Sequence, residues 1–236
     1  MRALIFDCDG VLAETERDGH RAAFNRMFAA EGLDFEWTED DYASVLSVAG
    51  GKERLRRLCT DAFVERHGLP TEQAALDELV ALWHRRKTQI FLDLVAEGRM
   101  PSRAGVRRLA SEARAAGWRL AVASTSAVVS VEAIAEQVLG RELLGECVIA
   151  AGDMVENKKP APDIYLHAAR LLGIDAYDAV AVEDSHVGVS AAVAAGMRVV
   201  ATVSHYTADE DLTAADIVVD GLGEPDGAAI AVYKND

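Results

Sequence analysis

Short, mostly apolar runs rich in β-branched residues recur along this chain with amphipathic stretches between them. They are Ala-Leu-Ile-Phe at 3–6, Leu-Ala-Val-Ala at 120–123, Val-Ile-Ala at 148–150, Ala-Val-Ala-Val at 179–182, Met-Arg-Val-Val-Ala at 197–201 and Ile-Val-Val at 217–219. A strand with one wet face alternates apolar and polar residues. Runs that stay apolar predict strands covered on both faces. Helical periodicity over 104–116, 162–172 and 187–195 lies between the runs, and Gly117, Gly173 and Gly196 follow as stops. Strand, helix and strand in this order predict an α/β fold with a parallel sheet and right-handed crossovers.

The gap after the first run breaks this rhythm. From 13 to 98 no buried strand is legible, and residues 20–30, 40–48, 52–67 and 71–97 carry helical patterns. The expected organisation is therefore an α/β core made of 1–13 and 99–236, interrupted just after its first strand by a helical unit over 14–98. The chain leaves the core around 12–16 and returns at 98–101.

Composition narrows the function. The 236 residues hold 24 Lys and Arg against 39 Asp and Glu, a formal net charge of −15. Such a charge opposes non-specific binding to nucleic acid or to an anionic membrane, while leaving a small anionic ligand open to local positive groups. No apolar run approaches the roughly 18 residues of a membrane helix, and the run at 3–6 is too short for a signal peptide. Cys8, Cys59 and Cys147 are odd in number and lack metal or redox spacing, which fits reduced thiols and a cytoplasmic location. Cys8 and the tryptophans Trp37, Trp83 and Trp118 read as packing residues.

Four polar clusters stand where apolar runs end, the place where open α/β sheets bind ligands. Phe6-Asp7-Cys8-Asp9-Gly10 puts two carboxylates two residues apart, so that they can point the same way, before a glycine that permits a sharp turn. Paired carboxylates suit Mg²⁺, which takes oxygen ligands, or a division into nucleophile and acid/base. The same four letters also describe a turn capped by Asp. Ser124-Thr125-Ser126 offers hydroxyls and backbone N–H groups to an anion, and equally to a helix N-terminus. Lys158-Lys159-Pro160 offers a cation for a phosphate, or a solvated pair. Glu183-Asp184-Ser185 places two adjacent acids at a buried strand end, which is costly unless they are paired or hold a metal.

In this order the clusters resemble the haloacid dehalogenase superfamily of phosphatases and phosphomutases, whose pattern is Asp-x-Asp-Gly, then Ser or Thr, then Lys, then an acidic pair. The likeness spans nearly the whole chain, and the helical unit resembles that superfamily's inserted cap. Leu12 to Glu16, Gly50-Gly51-Lys52-Glu53-Arg54, Ala151 to Val155 and Lys158 to Tyr165 look like the CbbY branch. That branch is associated with Calvin-cycle bacteria and plastids and is similar to xylulose-1,5-bisphosphate phosphatases, which remove an inhibitor of Rubisco.

The resemblance implies roles. Asp7 would be the nucleophile and Asp9 the acid and base. Ser124 and Lys159 would hold the transferring phosphoryl group. Mg²⁺ would sit on the Asp7 carboxylate, the Asp9 carbonyl and Asp184, with Glu183 close by or acting through water. Lys159 is preferred to Lys158 because the family's lysine directly precedes the proline. The helical unit would choose the substrate through Gly50, Gly51, Lys52, Glu53 and Arg54, through His84, Arg85, Arg86 and Lys87, and through Glu16 and His20. The implied ligand is a sugar phosphate, with no nucleic-acid or membrane partner, and the chain would act as a monomer or weak dimer.

Three competing readings remain at this point. A β-phosphoglucomutase shares the core, but such caps usually read Gly-x-Ser-Arg, and Gly51-Lys52-Glu53-Arg54 lacks that serine. A true haloacid dehalogenase lacks the second acid, here Asp9. A sugar-phosphate sensor on the same fold would not need all four clusters intact. Val11 stands where Thr often follows Asp-x-Asp-Gly, and Thr125 and Ser126 are extra donors without an assigned role.

Overall fold

The computed structural model describes residues 2–223 and the backbone of 232–233. The chain divides into two compact units, one of Met1–Thr15 and Met100–Asp236, the other of Glu16–Arg99. Apart from 232–233, the part of the expected core beyond residue 223 lies outside the described residues.

The first unit opens on strand β1 (Ala3–Phe6). It resumes with helix α6 (Val106–Ala115), strand β2 (Arg119–Ser124), helix α7 (Val128–Leu144), strand β3 (Cys147–Ala151), helix α8 (Asp163–Leu172), strand β4 (Ala179–Glu183), helix α9 (His186–Ala194), and strands β5 (Arg198–Thr202), β6 (Ile217–Val219) and β7 (Val232–Tyr233). The sheet order is β3-β2-β1-β4-β5-β6-β7, parallel from β3 to β6, with β7 antiparallel on the edge. Each of the six apolar runs forms a strand; β1, β2 and β4 are the most fully covered, whereas Ile217 of β6, near the sheet edge, remains exposed. β1 pairs with both β2 and β4, so the strand order reverses there and its carboxyl end faces the switch-point crevice.

The core of this unit is aliphatic. Ile5, Ala121, Ala181, Val199 and Ala201 from the strands meet Ile164, Tyr165, Ala168 and Val189 from α8 and α9, all buried. Cys8 is buried as expected. Helix α7 was not legible in the sequence. Its start, Val128-Val129-Ser130-Val131, is rich in β-branched residues that favour strands, and Gly140 (φ 78°) interrupts its regular path. Burial of Val131, Ile134, Ala135, Val138 and Leu139 overrides that local preference.

The second unit contains α1 (Ala22–Ala30), preceded by a wider turn over Glu16–Arg21, then α2 (Glu39–Val45), α3 (Gly51–Leu58), α4 (Asp61–His67) and α5 (Gln73–Ala96). The single helix expected over 52–67 is two. The chain leaves helical geometry at Cys59 (ψ 60°), and the Thr60 hydroxyl accepts from Phe63 N–H at 3.3 Å to cap the next helix. Thr38 starts α2 the same way, within a reciprocal bond to Asp41. An aromatic cluster holds the helices together, with Trp37 edge-on to Phe24 at 4.9 Å and to Phe28 at 5.1 Å. Trp37 and Trp83 are buried, which agrees with their reading as packing residues.

Candidate active site

The four clusters converge at the carboxyl ends of β1, β2 and β4. Asp7 follows β1, and its N–H still bonds to Val182 O of β4 at 2.9 Å, so the strand ladder fixes its backbone. Ser124 is the last residue of β2 and Glu183 the last of β4, with Asp184 directly after. Lys159 comes from the loop before α8. Its ammonium donates to Asp7 Oδ1 at 2.6 Å, to Glu183 Oε1 at 2.7 Å and to Ala123 O at 3.1 Å. All five of these residues are buried.

Lys158 turns the other way. Its ammonium donates to Gly152 O and pairs with Asp153 at 3.0 Å, outside this cluster. The preference for Lys159 as the site cation therefore has a geometric counterpart. Glu183 is fully buried and accepts three donors: Lys159, the Tyr165 hydroxyl and the Asp184 N–H at 3.1 Å. Gly188 of α9 lies so near that a Cβ there would sit 2.0 Å from the Glu183 carboxylate. Glycine at 188 thus lets the helix press directly on that acid.

Asp9 is held by two hydroxyls, Thr15 Oγ1 on Oδ1 and Ser126 Oγ on Oδ2, each at 2.5 Å. The Ser126 N–H also donates to Ser124 Oγ at 3.1 Å. Ser126 therefore touches both a proposed acid/base and a proposed phosphoryl ligand, a role its sequence context left open. Tyr165 was missed altogether. It reads as one more apolar residue of α8, yet its hydroxyl meets Glu183 and its ring lies 4.9 Å from the Lys159 ammonium.

Electrostatics define what the site can hold. The carboxylates of Asp7, Glu183 and Asp184 have oxygens within 4.8 Å of one another, all buried. One ammonium cannot balance three such charges. Burial pushes the Asp7 carboxyl up to about 8; Lys159 pulls it down, while Glu183 and Asp9 push it further up. Burial likewise raises Asp184 well above the usual carboxylate range, with Glu183 and Asp7 adding to the rise. For Lys159, burial works against the charge, but Asp7 and Glu183 outweigh it and the ammonium is held. A buried, oxygen-only donor set with excess negative charge fits a hard divalent cation such as Mg²⁺. Gly10 closes one wall: it adopts φ +80°, and a Cβ there would fall 1.9 Å from Asp184 Oδ2.

The helical unit arranges its expected residues in separate groups. Glu16 and Arg54 meet each other, at 3.3 Å, with Tyr42 OH donating to Glu16 at 2.6 Å and Arg54 donating to Tyr42 OH at 2.8 Å. His20 Nδ1 and the Lys87 ammonium lie 2.7 Å apart, both buried, and Lys87 sits 4.6 Å over the Phe24 ring. Gly50 is close against the Glu53 carboxylate, and Gly51 against the His84 ring. Lys52 is half-buried, Arg85 is exposed, and Arg86 forms an ion pair with Glu31.

The order and chemistry of these clusters are those of a haloacid dehalogenase-like hydrolase, and the model of that family matches residues 1–196. The chain belongs to this family as an enzyme of phosphatase type, and within it to the CbbY branch. Protein CbbY of Rhodobacter capsulatus is 43% identical over 218 residues, covering 92% of this chain and 91% of that protein. The crystal structure of CbbY from Rhodobacter sphaeroides in complex with phosphate is 42% identical, covers 96% of this chain and 97% of that one, and has a TM-score of 0.83. A mutant of that protein, solved in complex with xylulose-(1,5)bisphosphate, is 41% identical over the same shares, with a TM-score of 0.82. Among the described residues no helix is long and apolar enough to cross a membrane.

Proposed function

We propose that this chain is a Mg²⁺-dependent phosphatase that converts xylulose-1,5-bisphosphate to xylulose-5-phosphate and inorganic phosphate. The observation that carries the reading is the buried Asp7–Lys159–Glu183–Asp184 cluster beside Asp9 and Ser124. The choice of sugar rests on likeness to a chain solved with that bisphosphate.

An Asp7 oxygen attacks phosphorus while the bond from phosphorus to the sugar oxygen breaks. Asp9, held by Thr15 and Ser126, delivers its proton to that leaving oxygen. Asp7 then carries the phosphoryl group as an acyl phosphate. Asp9 next takes a proton from water, whose oxygen attacks phosphorus, and the bond from Asp7 to phosphorus breaks to free phosphate. Lys159 and Ser124 hold the phosphoryl oxygens throughout, and Glu183 with Tyr165 fixes the ammonium. Asp7, the Asp9 carbonyl and Asp184, with Glu183 nearby, would hold Mg²⁺, which would supply the positive charge that lets Asp7 remain ionised beside an incoming phosphate.

In the helical unit, Lys52 and Arg54 hold the phosphate that is not transferred, Arg54 being kept in place by Glu16 and Tyr42. Gly50 and Gly51 let the Glu53 carboxylate and the His84 ring pack against the backbone there. His20, Glu53, His84, Arg85, Arg86 and Lys87 complete the set that selects the sugar. Phosphate release from xylulose-1,5-bisphosphate with Mg²⁺, set against isomerisation of β-glucose-1-phosphate, tests the reading. Rapid release from the bisphosphate is expected. Mutase turnover with negligible phosphate release would replace the phosphatase by a phosphomutase.

A further inference from the structure

Arg103 lies in the segment where the chain re-enters the α/β unit, outside all four clusters. Its side chain is only 12% exposed. Nη1 donates to Gly10 O at 2.5 Å and pairs with Glu14 at 3.2 Å. Nη2 donates to Val203 O at 2.6 Å and to Thr202 Oγ1 at 3.1 Å. One guanidinium thus ties the loop after β1 to the end of β5.

Both tied segments border the Asp184 carboxylate. Gly10 forms one wall, at the close approach already described. On the other side, Ser204 follows Val203, and its hydroxyl lies near enough to the Asp184 carboxylate to favour that acid's charged form. Ser204 is itself fixed, its N–H donating to Thr207 Oγ1 at 3.0 Å and the two hydroxyls meeting at 3.0 Å. We infer that Arg103 is a positioning residue for the metal site, a clamp that sets the spacing of the two walls and so aims the Asp184 carboxylate. The planar fork suits this role, since Nη1 and Nη2 are held apart in one rigid plane, one on each segment, whereas an ammonium presents its donors from a single point. Groups that orient a metal ligand without touching the ion commonly govern affinity about as strongly as this clamp would, on the order of 10–100-fold per substitution.

The inference rests on the reading of Asp184 as a magnesium ligand. The test is Mg²⁺ titration of the full-length, metal-free chain by calorimetry, for wild type, Arg103→Ala, Arg103→Lys and Ser204→Ala, each with its metal-free melting temperature. Arg103→Ala is expected to raise the Mg²⁺ dissociation constant about 10–100-fold. Arg103→Lys keeps the charge and fails to restore affinity, and Ser204→Ala shows a smaller loss in the same direction. If Arg103→Ala does not fold, Arg103→Lys and Ser204→Ala decide by the same criterion. Variants that bind Mg²⁺ as wild type does, whatever their melting temperatures, overturn the clamp and leave Arg103 as a structural tie. A wild type that takes up no Mg²⁺ removes the metal reading itself, and the clamp with it.

Discussion

Mg²⁺ binding should release protons, and the structure says from where. Burial raises the Asp7 carboxyl to about 8 and also lifts Asp184, so the metal-free native state keeps at least one proton on this pair at neutral pH. The unfolded chain gives them up near the ordinary carboxylate value of 3.8. The native state therefore binds more protons than the unfolded state between about pH 4 and pH 8. Stability of the metal-free protein must fall as pH rises through that window, by up to about 1.4 kcal/mol per pH unit for each proton retained. A cation needs the ionised form, so binding expels what the site retained. Below pH 8 the apparent Mg²⁺ affinity should climb up to about tenfold per pH unit for each proton released, and flatten above it. Because the carboxyls interact, the protons belong to the pair rather than to either residue. Calorimetry at pH 6.5 in two buffers of different ionisation enthalpy counts them directly. At least one is expected, and Asp7→Asn should remove one while leaving an oxygen ligand in place. A Mg²⁺ affinity that does not change from pH 6 to pH 8, with no proton released, would show that Lys159 alone keeps both carboxylates charged, and would refute the argument.

Three further outcomes follow from single contacts. Tyr165→Phe withdraws one donor from the fully buried Glu183 and should cost about 1–3 kcal/mol, read as a lower denaturant midpoint at unchanged slope. Ser126→Ala frees Asp9 from one of its two hydroxyls, so kcat for phosphate release should fall while KM holds; a rise in KM with kcat unchanged would place Ser126 in substrate binding instead. Lys52→Ala and Arg54→Ala should weaken binding of a bisphosphate more than of a monophosphate, by about 1.5–3 kcal/mol for the lost charged contact. Equal losses for both ligands would remove these residues from the second phosphate.

The sheet was legible because its strands have a single way to hide apolar side chains on both faces. Ala-Val-Ala-Val at 179–182 cannot be an edge or half-wet strand, and it stands at the centre of the seven, between β1 and β5. Helix α7 was not legible for the converse reason: Val128 to Val131 prefer a strand locally, and only packing makes them helical. In the helical unit the amphipathic pattern runs on through Cys59-Thr60, because one helix and two helices meeting at a tight corner can show the same apolar periodicity. The signal that separates them is Thr60 followed by Asp61, a cap with an acidic first turn.

The site divides along a similar line. Asp7, Ser124, Lys159 and Asp184 could be read because their chemistry is carried by side chains at strand ends. Arg103, Ser204 and Tyr165 could not, because nothing in their local sequence marks the acid each one serves, and two of Arg103's four partners are backbone carbonyls, which every residue possesses. The difference is physical. A reacting group must be of a particular type, whereas a group that fixes it need only supply a donor at the right point, so many sequences can meet the need. The buried excess of negative charge links the two sets. As the proposed nucleophile, Asp7 would be useful only when ionised, and burial opposes ionisation. Holding it charged takes Lys159 and a cation together, and holding Lys159 and Asp184 in place takes Glu183, Tyr165, Ser204 and the two walls tied by Arg103. The supporting shell is therefore as much a requirement of the chemistry as the nucleophile, although only the nucleophile announces itself in the sequence.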